Sequence, residues 1–65
     1  MKIGQTVYTV NAKTNEVDSW EFAGTIKDDG EILVRLENGD KSCFLPARCV
    51  YETETVAKYI AGLKD

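Results

Sequence analysis

The sequence contains no histidine. Histidine is the side chain most often used for proton transfer near neutral pH and for binding metal ions, so its absence removes the commonest chemistry of both kinds. Two pairs of carboxylates invite an acid–base interpretation, Asp28 with Asp29 and Glu52 with Glu54. The first pair sits in a tight-turn sequence, and neither has the buried, partnered surroundings that a catalytic acid needs. We therefore expect a protein that is not an enzyme and that uses no cofactor.

Long apolar runs are also missing. No run approaches the ~20 residues of a membrane-spanning helix. The opening stretch, MKIGQTVYTV, has neither the long apolar region nor the small-residue cleavage site of a secretory signal. We therefore expect a cytoplasmic protein without a membrane partner, in a compartment that keeps thiols reduced.

Positive charge is scarce and scattered. Lys and Arg number 8 against 11 Asp and Glu, the net charge is −3, and no two basic residues are adjacent. Binding to a nucleic-acid backbone normally requires a basic face, so this balance disfavours it. One alternative stays open, in which folding assembles a basic patch beside Trp20 or Phe44 from scattered residues: Lys27, Arg35, Lys41 and Arg48.

The chain has only two cysteines, Cys43 and Cys49. Their spacing is not the Cys-x-x-Cys of redox sites, and a zinc site needs about four ligands, which the neighbouring residues do not offer. We expect no metal and interpret both thiols as small, buried apolar residues. A disulfide remains an alternative, which would close a short loop and stabilise the fold by roughly 2 kcal/mol.

Two strands are predicted in the first half of the chain. The stretch TVYTVNA is β-branched and aromatic, which favours a strand, and the polar NAKTNEVD indicates a loop. DSWEFAGTIK alternates with period two, which predicts a half-buried strand with Trp20, Phe22 and Ile26 on one face. Gly24 within it indicates a β-bulge or a sharp bend.

Two hairpins are predicted next, around the strand EILVRLE. Asp29-Gly30 is a turn signal, and Asn38-Gly39 as the central pair of a type I′ turn would fix the register. That register places Leu36 opposite Lys41, Arg35 opposite Ser42, Val34 opposite Cys43, Leu33 opposite Phe44, and Glu37 opposite Asp40. Cys43 then lies on the main apolar face, and Phe44 lies on the opposite face.

After Leu45 the pattern changes. Proline cannot donate to a sheet, so Pro46-Ala47-Arg48 predicts one turn of 3₁₀ helix before a short fifth strand, CVY. Thr53 is a good N-cap for a helix over residues 53–63, which Gly62 could end in the left-handed conformation. One apolar stripe is expected to dock on the sheet: Val56, Tyr59, Ile60 and Leu63.

The predicted order is five short strands, with a one-turn break before the last, followed by a helix. This order resembles an SH3-like barrel, the architecture of SH3, Tudor and KOW domains. The resemblance rests on IGQTVYTV, the two hairpin turns and the proline step before CVY, and it covers residues 1–52. The chain also resembles small SH3-like barrel proteins of bacteria and phages that share a Gly-x-x-Val-Tyr opening. The resemblance implies a single domain over residues 1–65, mostly β, with a five-stranded barrel and one C-terminal helix. It implies no ligand, because the ALYDY segment and Trp-Trp pair of peptide-binding SH3 domains are missing.

We hypothesise a small accessory or regulatory module, of phage or mobile-element type, that binds another protein. The binding surface is expected to combine apolar and arginine side chains: Tyr8, Leu33, Arg35, Phe44 and Arg48. An acidic chain could also occupy the nucleic-acid-binding groove of a partner by charge mimicry. The chain itself is expected to be a monomer or a weak homodimer. Its rivals are a nucleic-acid binder using the basic patch, and a homo-oligomeric structural subunit that pairs through an edge strand or the helix.

Overall fold

The computed structural model describes residues 1–63 as one open antiparallel sheet of four strands with a C-terminal helix. The strands lie in chain order: β1 (Thr6–Val10), β2 (Val17–Asp28), β3 (Glu31–Asn38) and β4 (Lys41–Pro46). A 3₁₀ turn (Ala47–Cys49) and the helix α1 (Glu54–Leu63) follow. The mostly β fold with a C-terminal helix is confirmed. The last two positions of the predicted 1–65 domain lie outside the described residues.

One face of the sheet, here called the inner face, carries the core. Its buried apolar cluster also includes a residue from beyond the 3₁₀ turn and consists of Val7, Phe22, Val34, Leu36 and Val50. Burying one such side chain fully stabilises the fold by about 1.5–3 kcal/mol. A chain this short has a small core, so each of these positions contributes a large share of its stability.

Trp20 belongs to the inner face, where it packs against the core cluster. Its indole Nε1 donates a hydrogen bond of 3.0 Å to Oγ1 of Thr9, which is itself buried. This bond satisfies two polar groups that would otherwise be costly to remove from water. The prediction that Trp20 and Phe22 serve the core is therefore confirmed.

A β-bulge divides β2 into two parts with opposite alternation. The register with β3 shifts between Phe22 and Gly24, so Ala23 is the extra residue. Gly24 has a φ of 130°, which side-chain-bearing residues rarely adopt. The bulge predicted from Gly24 is confirmed, but the placement of Ile26 beside Trp20 and Phe22 is wrong. The extra residue turns Ile26 to the opposite face, where it is 46% exposed.

Both hairpins form, but with different turns. Asp29 and Gly30 have φ values of 51° and 83°, as the type I′ turn requires. In the second hairpin Asn38 pairs with Lys41, so the central residues are Gly39-Asp40 rather than Asn38-Gly39. Gly39 alone of that pair has a positive φ, 63°, which fits a type II′ turn instead of the predicted type I′.

The register of β3 with β4 is consequently two residues away from the predicted one. The observed pairs are Leu33 with Pro46, Val34 with Leu45, Arg35 with Phe44, Leu36 with Cys43, and Glu37 with Ser42. Because side chains alternate along a strand with period two, a shift of two residues keeps every side chain on its predicted face. Cys43 therefore does lie on the inner face, and Phe44 on the opposite one.

The predicted fifth strand is reduced to a single bridge. Cys49 ends the 3₁₀ turn, and Tyr51 exchanges two backbone hydrogen bonds of 2.8 Å with Tyr8 of β1. Pro46 is the last residue of β4, and the 3₁₀ turn begins at Ala47, one residue later than predicted. The bridge ties the chain to the second edge of β1 before the helix begins.

Helix α1 has the predicted extent, but Gly62 does not adopt the predicted conformation. Oγ1 of Thr53 accepts a hydrogen bond of 3.2 Å from the backbone N–H of Val56, which is N-cap geometry. Gly62 lies within the helix and outside the left-handed region, so the predicted left-handed cap at Gly62 is wrong. Among residues 1–63, no helix has the length and apolar character needed to cross a membrane.

The face by which α1 docks is not the predicted apolar stripe. Ala57 and Ala61 are its buried residues, and the helix contacts β1 and β2. Val56, Tyr59 and Leu63 are 47%, 67% and 65% exposed, so their predicted docking on the sheet is wrong. Ile60, the fourth residue of the predicted stripe, is half-buried. Residues four apart lie on one helix face, and two alanines there let the helix backbone approach the sheet closely.

The loop between β1 and β2 holds the end of this helix. Oδ1 of Asn11 accepts hydrogen bonds from the backbone N–H groups of Lys13 and Thr14, at 2.9 and 3.3 Å, which orders the turn. Asn15 has a φ of 62°, and its Nδ2 donates a hydrogen bond of 2.6 Å to the carbonyl of Ala61. This polar contact favours the orientation in which the alanine face meets the sheet.

Candidate binding surface

The outer face of the sheet lies opposite the core, and the register arranges it in rows. Side chains directly opposite each other on neighbouring strands form a row, and successive rows on one face lie about 7 Å apart. From the first hairpin to the second, the rows are Asp28 with Glu31; Ile26 with Leu33 and Pro46; Gly24 with Arg35 and Phe44; and Glu21 with Glu37 and Ser42. The two apolar rows, which contain one arginine, thus lie between two acidic rows.

The two middle rows expose an apolar surface, here called the outer patch and formed by Ile3, Ile26, Leu33 and Phe44. Phe44 is 48% exposed, Ile26 is nearly as exposed, and Leu33 is half-buried. Contiguous exposed apolar surface is uncommon on monomeric proteins and marks sites of interaction. The patch is therefore the leading candidate for a binding surface.

Ile3 joins the outer patch because the segment before β1 crosses over Gly24. The backbone N–H of Gly4 donates a hydrogen bond of 2.8 Å to the carbonyl of Phe22, which holds this segment on β2. A β-carbon at Gly24 would lie 3.7 Å from Cδ1 of Ile3, in van der Waals contact. Glycine is therefore required here by the φ of the bulge and not by the space beside Ile3.

Two ion pairs lie at the ends of the outer patch. Nη2 of Arg35 lies 3.1 Å from Oε2 of Glu37, and Nη1 of Arg48 lies 2.8 Å from Oε1 of Glu31. All of these side chains are substantially exposed, so each pair contributes at most about 1 kcal/mol to stability. Their clearer effect is on position, because the Arg35 guanidinium is drawn towards the acidic row and its aliphatic stem is left beside the patch.

The structure brings together four of the five side chains predicted to bind a partner. Leu33, Arg35 and Phe44 lie in the two middle rows, and Arg48 reaches the Glu31 end of the outer face. Tyr8 is not among them, because it lies on β1, two strands away from β3, and pairs with Tyr51. Tyr8 is half-buried and has a structural role in that bridge.

Ile26 and Ile3 are the residues of the outer patch that sequence reasoning missed. For Ile26 the signal was present, since a bulge at Gly24 reverses the alternation of every residue after it. For Ile3 no periodic signal existed, because it precedes β1 and reaches the patch only through the path of the chain. Its position depends on the contact with β2 described above.

The four residues of the alternative basic patch are not gathered in one place. Lys27 pairs with Ile32 and Lys41 with Asn38, so these two lysines lie near opposite ends of β3, about 20 Å apart along the strand. Arg35 and Arg48, in addition, are each paired with a glutamate. This arrangement does not favour nucleic-acid binding.

The two cysteines have different surroundings. Both are free thiols; Cys43 is half-buried against the core cluster, whereas Cys49 is exposed in the 3₁₀ turn, so its predicted burial is wrong. Burial raises the pKa of the Cys43 thiol above its ordinary value of 9.0, because desolvation disfavours the thiolate. Over residues 1–63, no group of three or more Cys, Asp or Glu is placed to hold a metal ion.

A second exposed apolar surface lies on the helix. Val56, Tyr59 and Leu63 follow one face of α1 and are all exposed; this set is here called the helix stripe. The helix that carries it is short, since ten residues extend only about 15 Å. The same helix carries an exposed ion pair, with Nζ of Lys58 3.6 Å from Oε1 of Glu54.

Two shallow hollows lie beside the sheet, of about 250 and about 440 Å³. Both include Trp20, Ser19 and Asn38 in their walls, and most of their other lining residues are polar or charged. Small-molecule sites are usually lined mainly by apolar side chains. The hollows therefore support a small-molecule site less well than the outer patch supports a protein contact.

Comparisons of this chain with protein-family models, with curated proteins and with solved structures find no match. The outer patch and the helix stripe are therefore the features from which a function can be inferred.

Proposed function

We propose that this chain is a small, non-enzymatic protein-binding module of the cytoplasm, with an accessory or regulatory role, and that the outer patch is its contact surface. The observation that carries the proposal is the exposure of Ile26 and Phe44 on the outer face beside Leu33 and Arg35. Aromatic and arginine side chains dominate the binding energy of protein interfaces. Covering Ile26 or Phe44 would contribute on the order of 1 kcal/mol each, since about half of each side chain is still exposed.

We also propose that the sheet is an SH3-like barrel of five strands, with Tyr51 as the start of the fifth strand and the helix appended to it. The two hydrogen bonds between Tyr8 and Tyr51 support this, because they extend pairing beyond the four-stranded sheet. Amide hydrogen exchange tests it. Because alternate N–H groups of a strand point towards its partner, slow exchange at Thr53 as well as at Tyr51 would indicate a paired fifth strand, whereas slow exchange at Tyr51 with fast exchange at Thr53 would contradict it.

The contact surface is tested by capturing partners from the source cell with immobilised protein. Phe44→Thr removes the aromatic ring while keeping strand propensity. Ile32→Thr is the matched control, because Ile32 is similarly exposed and lies on the same sheet but on the other face. We expect the wild type and Ile32→Thr to retain one partner that Phe44→Thr loses. A folded Phe44→Thr variant that retains every partner would show that the outer patch is not the contact surface.

A second candidate function is self-association through the helix stripe, which its exposure favours. Three side chains on a short helix cover much less than the ~800 Å² per partner of a stable interface. We therefore expect at most a weak homodimer. Sedimentation equilibrium tests this, and dissociation on changing Tyr59→Gln, with no change for Phe44→Thr, would support the helix stripe.

A further inference from the structure

We infer that the occupant of the outer patch is an amphipathic helix of a partner protein, with apolar residues at its centre and Lys or Arg at both ends. This inference rests on the proposed function and specifies the chemistry of the partner. It follows from three properties of the outer face: its width, its length and the distribution of its charges.

The width of the outer patch matches a helix better than an extended peptide. The patch crosses β2, β3 and β4, with Ile26, Leu33 and Pro46 in one row and Phe44 in the next. Neighbouring strands lie about 4.8 Å apart, so the patch is about 10 Å wide. That is the diameter of an α-helix with its side chains. An extended strand would cover only about half of this width.

The length of the outer face sets the length of the helix. From the row of Glu31 to the row of Glu37 is six residues along β3, which corresponds to about 20 Å. A helix rises about 1.5 Å per residue, so about 13 residues separate the two ends. The apolar contacts fall in the middle of this span, and the acidic rows fall at its ends.

The charges of the outer face favour a cation at each end of the occupant. Among the described residues, the acidic rows hold Asp28 and Glu31 at one end and Glu21 and Glu37 at the other. Glu31 and Glu37 are paired with arginines, whereas Glu21 and Asp28 make no ion pair within residues 1–63. One uncompensated carboxylate thus remains at each end. Complementary charges of this kind determine the orientation and choice of a partner.

The same charges argue against α1 of a second copy as the occupant. That helix has Glu54 in its first turn, and Glu52 precedes it. Laid along the outer face, it would bring these carboxylates to an acidic row, where like charges repel. At ten residues, α1 is also shorter than the span between the acidic rows.

The test uses synthetic helical peptides of about 14 residues, titrated into isotopically labelled protein and followed by NMR chemical shifts. One peptide has leucines along one face and two lysines at each end. The second has the same leucines with glutamates at the ends, and the third has the lysines of the first moved among the leucines. We expect all three peptides to shift the amides of Ile26, Leu33 and Phe44 at high concentration, and the lysine-ended peptide to bind at least about five-fold more tightly than the others.

Protein variants distinguish an effect of the two carboxylates on the outer face from an effect of the net charge of the protein. Glu21→Gln with Asp28→Asn removes the two uncompensated carboxylates of the outer face. Glu16→Gln with Asp40→Asn is the matched control, since it removes two exposed carboxylates elsewhere. We expect the first double variant to bind the lysine-ended peptide about five-fold more weakly, and the control to change binding less than two-fold. Raising the salt to ~0.5 M should weaken binding to the wild type and largely remove this difference.

Equal binding of the lysine-ended and glutamate-ended peptides would overturn the inference, as would equal losses in the two double variants. Failure of every peptide to bind would also overturn it. If Phe44→Thr nevertheless loses a captured partner, the proposed function stands and only the inferred chemistry of the partner is wrong. If the wild type self-associates in sedimentation and the Phe44→Thr variant does not, a second copy is the occupant and the inference is wrong.

Discussion

The two faces of the sheet use neighbouring residues of the same strand for opposite purposes. On β3, Val34 and Leu36 are completely buried on the inner face, whereas Leu33 is half-buried and Arg35 exposed on the outer face. Both faces are apolar at their centre, but the buried cluster lies on the inner one, where Val50 from beyond the 3₁₀ turn joins it. The difference shows that apolar character alone does not place a residue in the core.

The largest expected effect is a difference in stability between substitutions at Leu36 and at Leu33. Leu36→Ala leaves a cavity in a packed core, and we expect it to lower the free energy of unfolding by about 2–5 kcal/mol. Leu33→Ala is the control on the outer face, and its cost should be less than half as large because the side chain is already partly in water. Urea unfolding measures both. Equal losses would show that the outer face is as well covered as the inner one.

The next effect concerns the bulge that turns Ile26 to the outer face. Gly24→Ala places a side chain at a φ of 130°, and we expect a loss of about 1–3 kcal/mol. Gly62→Ala is the matched control, since Gly62 is exposed and helical, with open space around it. It should stabilise the protein by up to about 1 kcal/mol. Destabilisation by Gly62→Ala would instead favour the left-handed helix end predicted from the sequence.

A smaller effect is expected at the polar contact of the inner face. Thr9→Val keeps the shape of the side chain but leaves the Trp20 indole N–H without its acceptor. We expect a loss of about 1–2 kcal/mol in thermal or urea unfolding. Thr25→Val is the control, because Thr25 is also paired within the sheet, with Val34 of β3, but is exposed. No loss at Thr9→Val would mean that this hydrogen bond contributes nothing to the core.

The smallest expected effect is a difference in reactivity between the Cys43 thiol on the inner face and the exposed Cys49 thiol. Burial raises the pKa of the Cys43 thiol and shields its sulfur, whereas the sulfur of Cys49 is exposed. We expect iodoacetamide to modify Cys49 first in the folded protein and both at similar rates in urea. A disulfide would prevent modification of either until a reductant is added, and that outcome would contradict the two free thiols.

The raised pKa of Cys43 also gives a pH dependence with a definite sign. A group whose pKa is raised by folding holds its proton longer in the folded state, so its contribution to stability is complete below the unfolded value. That contribution is lost as the pH rises above about 9.0 and through the folded pKa. Comparing the pH profile of the wild type with that of Cys43→Ala isolates this term, and identical profiles would show that the thiol is not desolvated.

Much of the fold could be predicted because it depends on local signals. The turn at Asp29-Gly30, the N-cap at Thr53 and the faces of Cys43 and Phe44 all follow from neighbouring residues. The β3–β4 register was wrong by two residues because Asn38-Gly39 and Gly39-Asp40 can both form a two-residue turn. The error did not move any side chain to the other face of the sheet, because a shift by an even number of residues preserves the alternation.

Three features could not be predicted from local signals because they depend on how elements meet. Gly24 indicates either a bulge or a sharp bend, and only a bulge, which adds one residue to the strand, turns Ile26 to the outer face. The rotation of α1 depends on close packing of Ala57 and Ala61 and on the hydrogen bond from Asn15, not on its most apolar stripe. The place of Ile3 depends on the path of the chain before β1.

The most direct test of the outer patch as a binding surface is to measure stability and binding together in Phe44→Thr and Ile32→Thr. Both side chains are about half exposed, and they lie on opposite faces of the sheet. We predict that both variants keep the free energy of unfolding within about 1 kcal/mol of the wild type, and that only Phe44→Thr loses the captured partner. Retention of that partner by a folded Phe44→Thr variant, or equal loss in both variants, would contradict this account.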